Sequence, residues 1–128
     1  MEDRNADLNG QSATYIVSGG ASRLGAAIAR QISSAGHHVI IGDSDERAAA
    51  EVADELKGSA VAYRCDVRSD QDLKGIVEFA RDTYGELNGI VNNAVSYLDN
   101  GVTSSRADWH EAFDVCLFGG ARLLAEAI

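Results

Sequence analysis

Apolar residues recur along this chain in two different periods, and the places where the period switches mark its elements. Ala13-Thr14-Tyr15-Ile16-Val17 is a continuous β-branched and aromatic run closed by Gly19-Gly20, the pattern of a buried strand that meets a turn. Leu24, Ala27, Ile28, Gln31, Ile32 and Ala35 then recur at three- and four-residue steps, which predicts a helix capped at its end by Gly36. His38 to Gly42 reads as a second strand. Ala48, Ala49, Val52, Ala53 and Leu56 form one face of a second helix ended by Gly58, and Ser59 to Cys65 reads as a third strand. Ser69 with Asp72 fits a capping box, and Leu73, Ile76, Val77, Ala80 and Tyr84 make the apolar stripe of the helix behind it. Leu87 to Asn92 is a fourth short strand. Ser105 with Asp108 caps a last helix, whose apolar face is Trp109, Phe113, Cys116, Leu117, Gly120 and Leu124.

Strand and helix therefore alternate from Ala13 onward. That order implies an α/β fold: parallel strands joined by right-handed crossovers, with helices on both sheet faces. The expectation is the first half of a doubly wound, Rossmann-type sheet with strand order 3-2-1-4. Residues 1–12 read as a polar N-terminal extension and residues 13–128 as one partial α/β domain that ends in the helix after the fourth strand.

Composition narrows the partners. The 128 residues carry 45% hydrophobic residues, enough for one globular core. A formal net charge of -9, with the arginines scattered and lysine only at Lys57 and Lys74, argues against nucleic-acid and anionic-lipid partners, which draw on clustered cations. Cys65 and Cys116 stand far apart and match no metal-ligand spacing, so they read as free thiols of a reducing compartment. His37, His38 and His110 share no spacing with a third ligand and read as surface histidines; no metal site is expected. The polar, mixed-charge start lacks the basic-then-apolar order of a signal peptide, and no apolar run approaches the roughly 20 residues that span a bilayer. A soluble, cytoplasmic protein is the expectation.

The candidate chemistry lies where strands end. Ser18-Gly19-Gly20-Ala21-Ser22-Arg23-Leu24-Gly25 joins the first strand to the first helix, where the pyrophosphate of a dinucleotide meets a helix N-terminus. Asp43 ends the second strand roughly 20 residues past the glycine turn, where a carboxylate can accept both ribose hydroxyls of an adenosine. A 2'-phosphate would be repelled there, and Ser44 supplies no cation, so NAD is expected in preference to NADP. Asp43 also reads as an ordinary helix-entry acid in Asp43-Ser44-Asp45. Cys65-Asp66-Val67 closes the third strand and Asn92-Asn93-Ala94-Val95 the fourth.

Four such motifs in this order, each at the C-terminal end of a predicted strand, resemble the short-chain dehydrogenase/reductase family from about Ala13 to the end. The family carries T-G-x-x-x-G-x-G at the first turn; here Ser18 stands for the threonine, Gly19 and Gly25 are in place, and Arg23 replaces the middle glycine. A variant with arginine at that position is familiar in pteridine-reductase-like members, where it lies by the cofactor phosphates; an arginine merely solvated at the helix start fits as well. The resemblance implies that Asp66 hydrogen-bonds the adenine amino group while the Val67 backbone touches the ring. It further implies that Asn93, in the place of the second asparagine of N-N-A-G, supports the sheet and the cofactor ribose, with Val95 replacing the glycine. The implied cofactor-binding set is Gly19, Ser22, Arg23, Leu24, Gly25, Asp43, Asp66, Val67, Asn93 and Ala94.

Two family features are missing. Where the family reads V-N in the last helix, with the asparagine bending it around a water, this chain has Val115-Cys116; the thiol is expected to be a small buried residue on the core face. The family's catalytic serine and Tyr-x-x-x-Lys have no counterpart: Tyr15, Tyr63, Tyr84 and Tyr97 are followed four residues later by Gly19, Val67, Asn88 and Gly101. Ser96-Tyr97 belong to the loop after the fourth strand and are not expected to be catalytic. The resemblance thus implies the cofactor portion of an NAD(P)-dependent oxidoreductase of secondary alcohols and carbonyls, inactive alone. A non-catalytic dinucleotide-binding or assembly module is the alternative, supported by the altered Arg23, Val95 and Cys116. The fourth strand's edge carries Ile90 and Val91 without a protecting lysine or proline, and the last helix has more apolar residues than one face can bury. A homo-oligomer through that helix or that edge is therefore expected.

Overall fold

The computed structural model describes residues 10–97 and 100–128; residues 1–9 of the polar extension expected over residues 1–12 lie outside the described residues. The elements run β1 (Thr14–Ser18), α1 (Arg23–Ser34), β2 (His38–Asp43), α2 (Glu46–Glu55), β3 (Ala60–Arg64), α3 (Asp70–Tyr84), β4 (Gly89–Val91), α4 (Arg106–Phe113), a π-helical turn (Asp114–Phe118) and α5 (Gly119–Ala127). All pairings are parallel, as the alternation of periods predicts, in the order β3-β2-β1-β4 expected for the first half of a doubly wound sheet. β1 pairs Thr14 through Ser18 with His38 through Gly42, whereas β4 meets it only at Tyr15, Ile16 and Val17. The fourth strand is thus shorter than its apolar run.

Successive strand residues point to opposite faces, so the run Val39-Ile40-Ile41 feeds two cores. Val17, Val39, Ile41 and Ala60 pack with Ala26 and Ala29 of α1 and Ala49, Val52 and Ala53 of α2. On the opposite face Ile16 and Ile40 pack with Cys65, with Leu73, Ile76, Val77 and Ala80 of α3, and with Leu123 of α5. The helices on each face are held at their starts by side-chain caps. Ser22, Asp45, Ser69 and Ser105 each accept the backbone N–H three residues on, satisfying one of the donors a helix start leaves open. At α3 the capping box is only half made, because the Asp72 carboxylate turns instead to the Asp66 N–H at 2.9 Å.

Three expectations are corrected. In α1 the core face is Gly25, Ala26 and Ala29, with Ile28 and Ile32 half-buried, while Leu24, Ala27, Gln31 and Ala35 are exposed. This helix approaches the sheet on the small residues Gly25, Ala26 and Ala29, and of the expected face only Ile28 and Ile32 pack against that core. In the last helical segment Gly119 and Leu123 are buried, whereas Trp109, Phe113, Cys116, Leu117 and Leu124 of the expected face are exposed. The π turn inserts extra residues per turn and rotates the following face away from the one extrapolated from Trp109. His37, finally, is a buried histidine rather than a surface one: its Nδ1 accepts the Ala13 N–H at 3.1 Å, satisfying the backbone at the entry to β1. His38 is half-buried and stacks on Tyr84 at 4.1 Å, while His110 is exposed.

Candidate functional site

The C-terminal ends of all four strands open on one cavity of about 380 Å³. Its walls include Gly19 and Ser22 after β1, Asp43 and Ser44 after β2, Asp66, Val67 and Arg68 after β3, Asn93 through Tyr97 after β4, and Glu111 and Val115 from the last helical segment. This is the crevice where open α/β sheets place ligands, and its volume is that of a small-molecule site.

The turn after β1 is built for close approach of backbone. Gly19 sits at φ +63°, and a Cβ there would meet Ala94 and the Asn93 amide at 3.0 Å. A Cβ on Gly25 would lie 2.2 Å from the Gly19 carbonyl oxygen, so only glycine lets α1 start this close to the turn. Ser22 Oγ donates to that same carbonyl at 2.7 Å and accepts the Gly25 N–H. The Ala26 N–H returns to the Ser22 carbonyl. The N–H groups of Arg23 and Leu24 make no hydrogen bond among the described residues, which leaves two oriented donors at the positive end of a 12-residue helix. The Arg23 side chain is exposed and is not part of the cavity wall, and neither are Leu24 and Gly25.

Ser18 and Asn93 stitch this turn to β4. The buried Ser18 hydroxyl accepts the N–H groups of Asn93 and Ala94, each at 3.1 Å. Asn93 Nδ2 donates to the carbonyls of Ser18 and Gly19 at 3.1 and 3.0 Å, with Ser22 Oγ at 3.3 Å. The wall formed by Ala94 is thereby fixed against the glycine turn.

Asp43 links two loops: Oδ2 accepts the Ala21 N–H at 3.1 Å and Oδ1 the Asp45 N–H at 3.0 Å, while Asp45 itself caps α2. Asp66 is gripped by Arg68. The guanidinium donates from Nε to Oδ1 at 3.0 Å and from Nη2 to Oδ2 at 2.9 Å, and the Arg68 backbone N–H also reaches Oδ1. These bonds hold the Asp66 carboxyl below its ordinary range and raise the guanidinium's affinity for its proton. The third guanidinium nitrogen donates to Glu111 Oε1 at 2.8 Å, joining the β3 end to α4. Burial, reinforced by the Asp72 and Asp66 carboxylates, pushes the Cys65 thiol up to about 12. Cys116, expected in the core, is exposed in the π turn, and its Sγ accepts the Ser96 N–H at 3.5 Å. Two turn residues, Val115 and Leu117, flank it, and the whole turn contains no buried residue.

Of the sequence-derived set, the structure brings Gly19, Ser22, Asp43, Asp66, Val67, Asn93 and Ala94 to the cavity wall, whereas the side chains of Arg23 and Leu24, both exposed, and Gly25 do not line it. Ser96 and Tyr97, set aside as loop residues, also line it. Arg68 and Glu111 were not singled out. Arg68 sits only two residues beyond Asp66, but Glu111 is 43 residues from its partner, a pairing that periodicity does not encode. Among the described residues no cluster of metal-ligating side chains occurs and no helix is long and apolar enough to cross a membrane.

A four-stranded parallel sheet in this order, with a glycine turn leading into the first helix and a ligand-sized crevice at its strand ends, is a doubly wound α/β fold. The profile of the family described as short chain dehydrogenase matches residues 13–128, and the chain belongs to that family. It is 32% identical over 117 residues to 7alpha-hydroxysteroid dehydrogenase of Escherichia coli strain K12, a match covering 89% of this chain and 45% of the relative. L-fucose dehydrogenase of Oryctolagus cuniculus is 39% identical over 82 residues, 64% of this chain and 28% of the relative. A structure of 7 alpha-hydroxysteroid dehydrogenase complexed with NADH and 7-oxo glycochenodeoxycholic acid superposes with a TM-score of 0.84 at 29% identity, covering 90% of this chain and 46% of that one. A 3-ketoacyl-(acyl-carrier-protein) reductase from Brucella melitensis, complexed with NADH, shares the fold at a TM-score of 0.86 and 22% identity over 92% of this chain and 49% of that one. The chain spans about half the length of the first of these relatives.

Proposed function

We propose that residues 13–128 form the nicotinamide-dinucleotide-binding portion of an oxidoreductase acting on secondary alcohols or carbonyls. The observation that carries this reading is the convergence of the glycine turn, Asp43, Asp66 and Asn93 on one crevice, with the Arg23 and Leu24 N–H groups left open at its helix start. The residues present suit the group: open N–H donors and a helix N-terminus for the pyrophosphate, the Asp43 carboxylate for the adenosine ribose, Asp66 and the Val67 backbone for adenine. A nicotinamide bound there supplies hydride exchange with a carbon. The chain's own residues bind and orient it, and none of its tyrosines stands four residues before a lysine, the family's proton-donating pair.

Asp43 favours NADH over NADPH, because a 2'-phosphate beside its carboxylate meets like charge. Fluorescence titration of the purified chain with both nucleotides tests the reading: NADH binds more tightly than NADPH, and Asp43→Ala narrows the gap. Absence of NADH binding sinks the cofactor assignment; an unchanged gap in Asp43→Ala assigns selectivity to Arg23 of the glycine turn or to another group. The chain alone turns over no alcohol with NAD.

The second reading is a non-catalytic dinucleotide-binding or assembly module. It is favoured by the residues at three motif positions, Arg23, Val95 and Cys116, of which Val95 and Cys116 are exposed beside the crevice. In either case the exposed Trp109, Phe113, Leu117, Phe118 and Leu124 support a homo-oligomer through the last helical segment or the β4 edge, and the two free cysteines suit a cytoplasmic location.

A further inference from the structure

Arg68 and Glu111 belong to none of the motifs that carry the family resemblance, yet Arg68 makes a two-point fork to Asp66 and a salt bridge to Glu111 at the crevice wall. A carboxylate offers about four acceptor positions on its two oxygens. Arg68 occupies three of those on Asp66: its backbone N–H and Nε share Oδ1, and Nη2 takes one position on Oδ2. One acceptor position remains, on Oδ2, in a carboxylate whose plane is set by a two-point fork. The fork is itself held from behind, since Nη1 is tied to Glu111 Oε1 on α4 at 2.8 Å. All three side chains line the crevice.

Resting on the dinucleotide-binding reading above, we propose that Arg68 and Glu111 are positioning residues that turn Asp66 into a selective acceptor for the exocyclic amino group of adenine. Free to rotate, a carboxylate at this place would offer several lone pairs and tolerate water between itself and a purine edge. Locked, it offers one lone pair in one direction. A purine with a 6-amino group donates to that position, and a purine with a 6-oxo group presents an oxygen to an ionised carboxylate that cannot donate in return. Discrimination between the two bases is therefore a property of the Asp66–Arg68–Glu111 chain, not of Asp66 alone.

The test compares NADH with its deaminated analogue, nicotinamide hypoxanthine dinucleotide in reduced form, by direct titration of the purified chain. The wild-type chain binds NADH on the order of tenfold more tightly, the scale of one hydrogen bond to a charged group. Arg68→Met removes the fork while keeping the aliphatic stem, and the ratio of the two dissociation constants falls below about threefold; Arg68→Lys, one donor group without the fork, restores it only in part. Glu111→Ala, which leaves the Asp66 fork in place but frees its far end, gives an intermediate ratio. A merely structural Arg68 would weaken both nucleotides together and leave the ratio unchanged, and that result overturns the proposal. So does a wild-type chain that binds the two nucleotides equally, while leaving the dinucleotide site standing. A wild-type chain that binds neither overturns the dinucleotide reading itself.

Discussion

The first three strand-helix units and the last one are built to different standards of closure. Between Thr14 and Tyr84 every helix turns a run of small or branched apolar residues onto the sheet, and Ile16, Ile40, Ile41 and Leu73 have no measurable exposure. After β4 the pattern reverses. Trp109, Phe113, Leu117, Phe118 and Leu124 stand 38 to 55% exposed, and only Gly119 and Leu123 of the last 23 residues are buried. A chain that spans about half of a matched relative meets its own needs in the first region and presents unmet apolar surface in the second. Local sequence therefore completes the βα units of the first region, while the large apolar residues of the last helical segment stay exposed.

The widest gap between the regions lies in their two thiols. Burial raises Cys65 from an ordinary 9.0 to about 12, which leaves it about a thousandfold less thiolate at neutral pH, before its burial hinders a reagent further. Cys116 is exposed. A maleimide added at pH 7.5 labels Cys116 in the native chain and Cys65 only once the chain unfolds, as peptide mass spectrometry will report. Labelling of Cys65 at the rate of Cys116 breaks the comparison.

Packing gives the next largest contrast. Ile40→Ala empties space at the centre of the sheet and costs about 2 to 5 kcal/mol, whereas Leu124→Ala at an exposed site stays within about 0.5 kcal/mol. Urea midpoints at fixed protein concentration measure both. A loss at Leu124 that grows with protein concentration would sharpen the picture instead, since it shows a second copy covering the open face.

How far the sequence anticipates this division follows from what periodicity encodes. The faces of α2 and α3 were legible because Ala49, Val52, Leu73 and Ile76 are apolar residues in a regular helical period, and the strand order followed from the doubly wound fold that the strand-end motifs resemble. The face of α1 was misread since its contact is made by Gly25 and Ala26, and small residues carry no hydrophobic signal even where close packing demands them. The last segment was misread for a related reason. Gly119 packs so tightly that a Cβ would fall 2.8 Å from the Val67 carbonyl oxygen, and the π turn before it shifts the phase that Trp109 and Phe113 suggest. In the site, the glycine turn and the strand-end residues were legible as local motifs. Arg68 to Glu111 was not, being a contact across 43 residues.

Ser18 joins the two regions, and its removal is expected to cost less than a core cavity. Ser18→Ala leaves the Asn93 and Ala94 N–H groups without their shared acceptor, a loss of about 1 to 3 kcal/mol. Ser18→Thr retains the oxygen and most of the stability. If Ser18→Ala unfolds at the wild-type urea midpoint, the join between β1 and β4 rests on the strand ladder and the Asn93 amide rather than on the Ser18 hydroxyl.

The smallest effect is the acid response of the Arg68 bridge, the other link between the regions. Asp66 is held below its ordinary value of 3.8, first by the Arg68 fork. A carboxyl depressed on folding binds its proton more readily in the unfolded chain, so stability rises with pH through that interval. The contribution is therefore complete above the ordinary carboxylate range and is lost as pH falls through the lower folded value. Because the Arg68 side chain is 43% exposed, solvent limits the bridge to about 0.2 to 1 kcal/mol. Urea midpoints of the wild-type chain and Arg68→Met should differ by a constant amount from pH 7 down to about pH 5, and the difference should shrink as acid protonates Asp66. Salt should reduce the same difference at neutral pH, since half-exposed charges are screened over about 10 Å at 0.1 M. A difference that persists unchanged to pH 3 would mean that the Arg68 stem, through packing, and not its charge, ties β3 to α4.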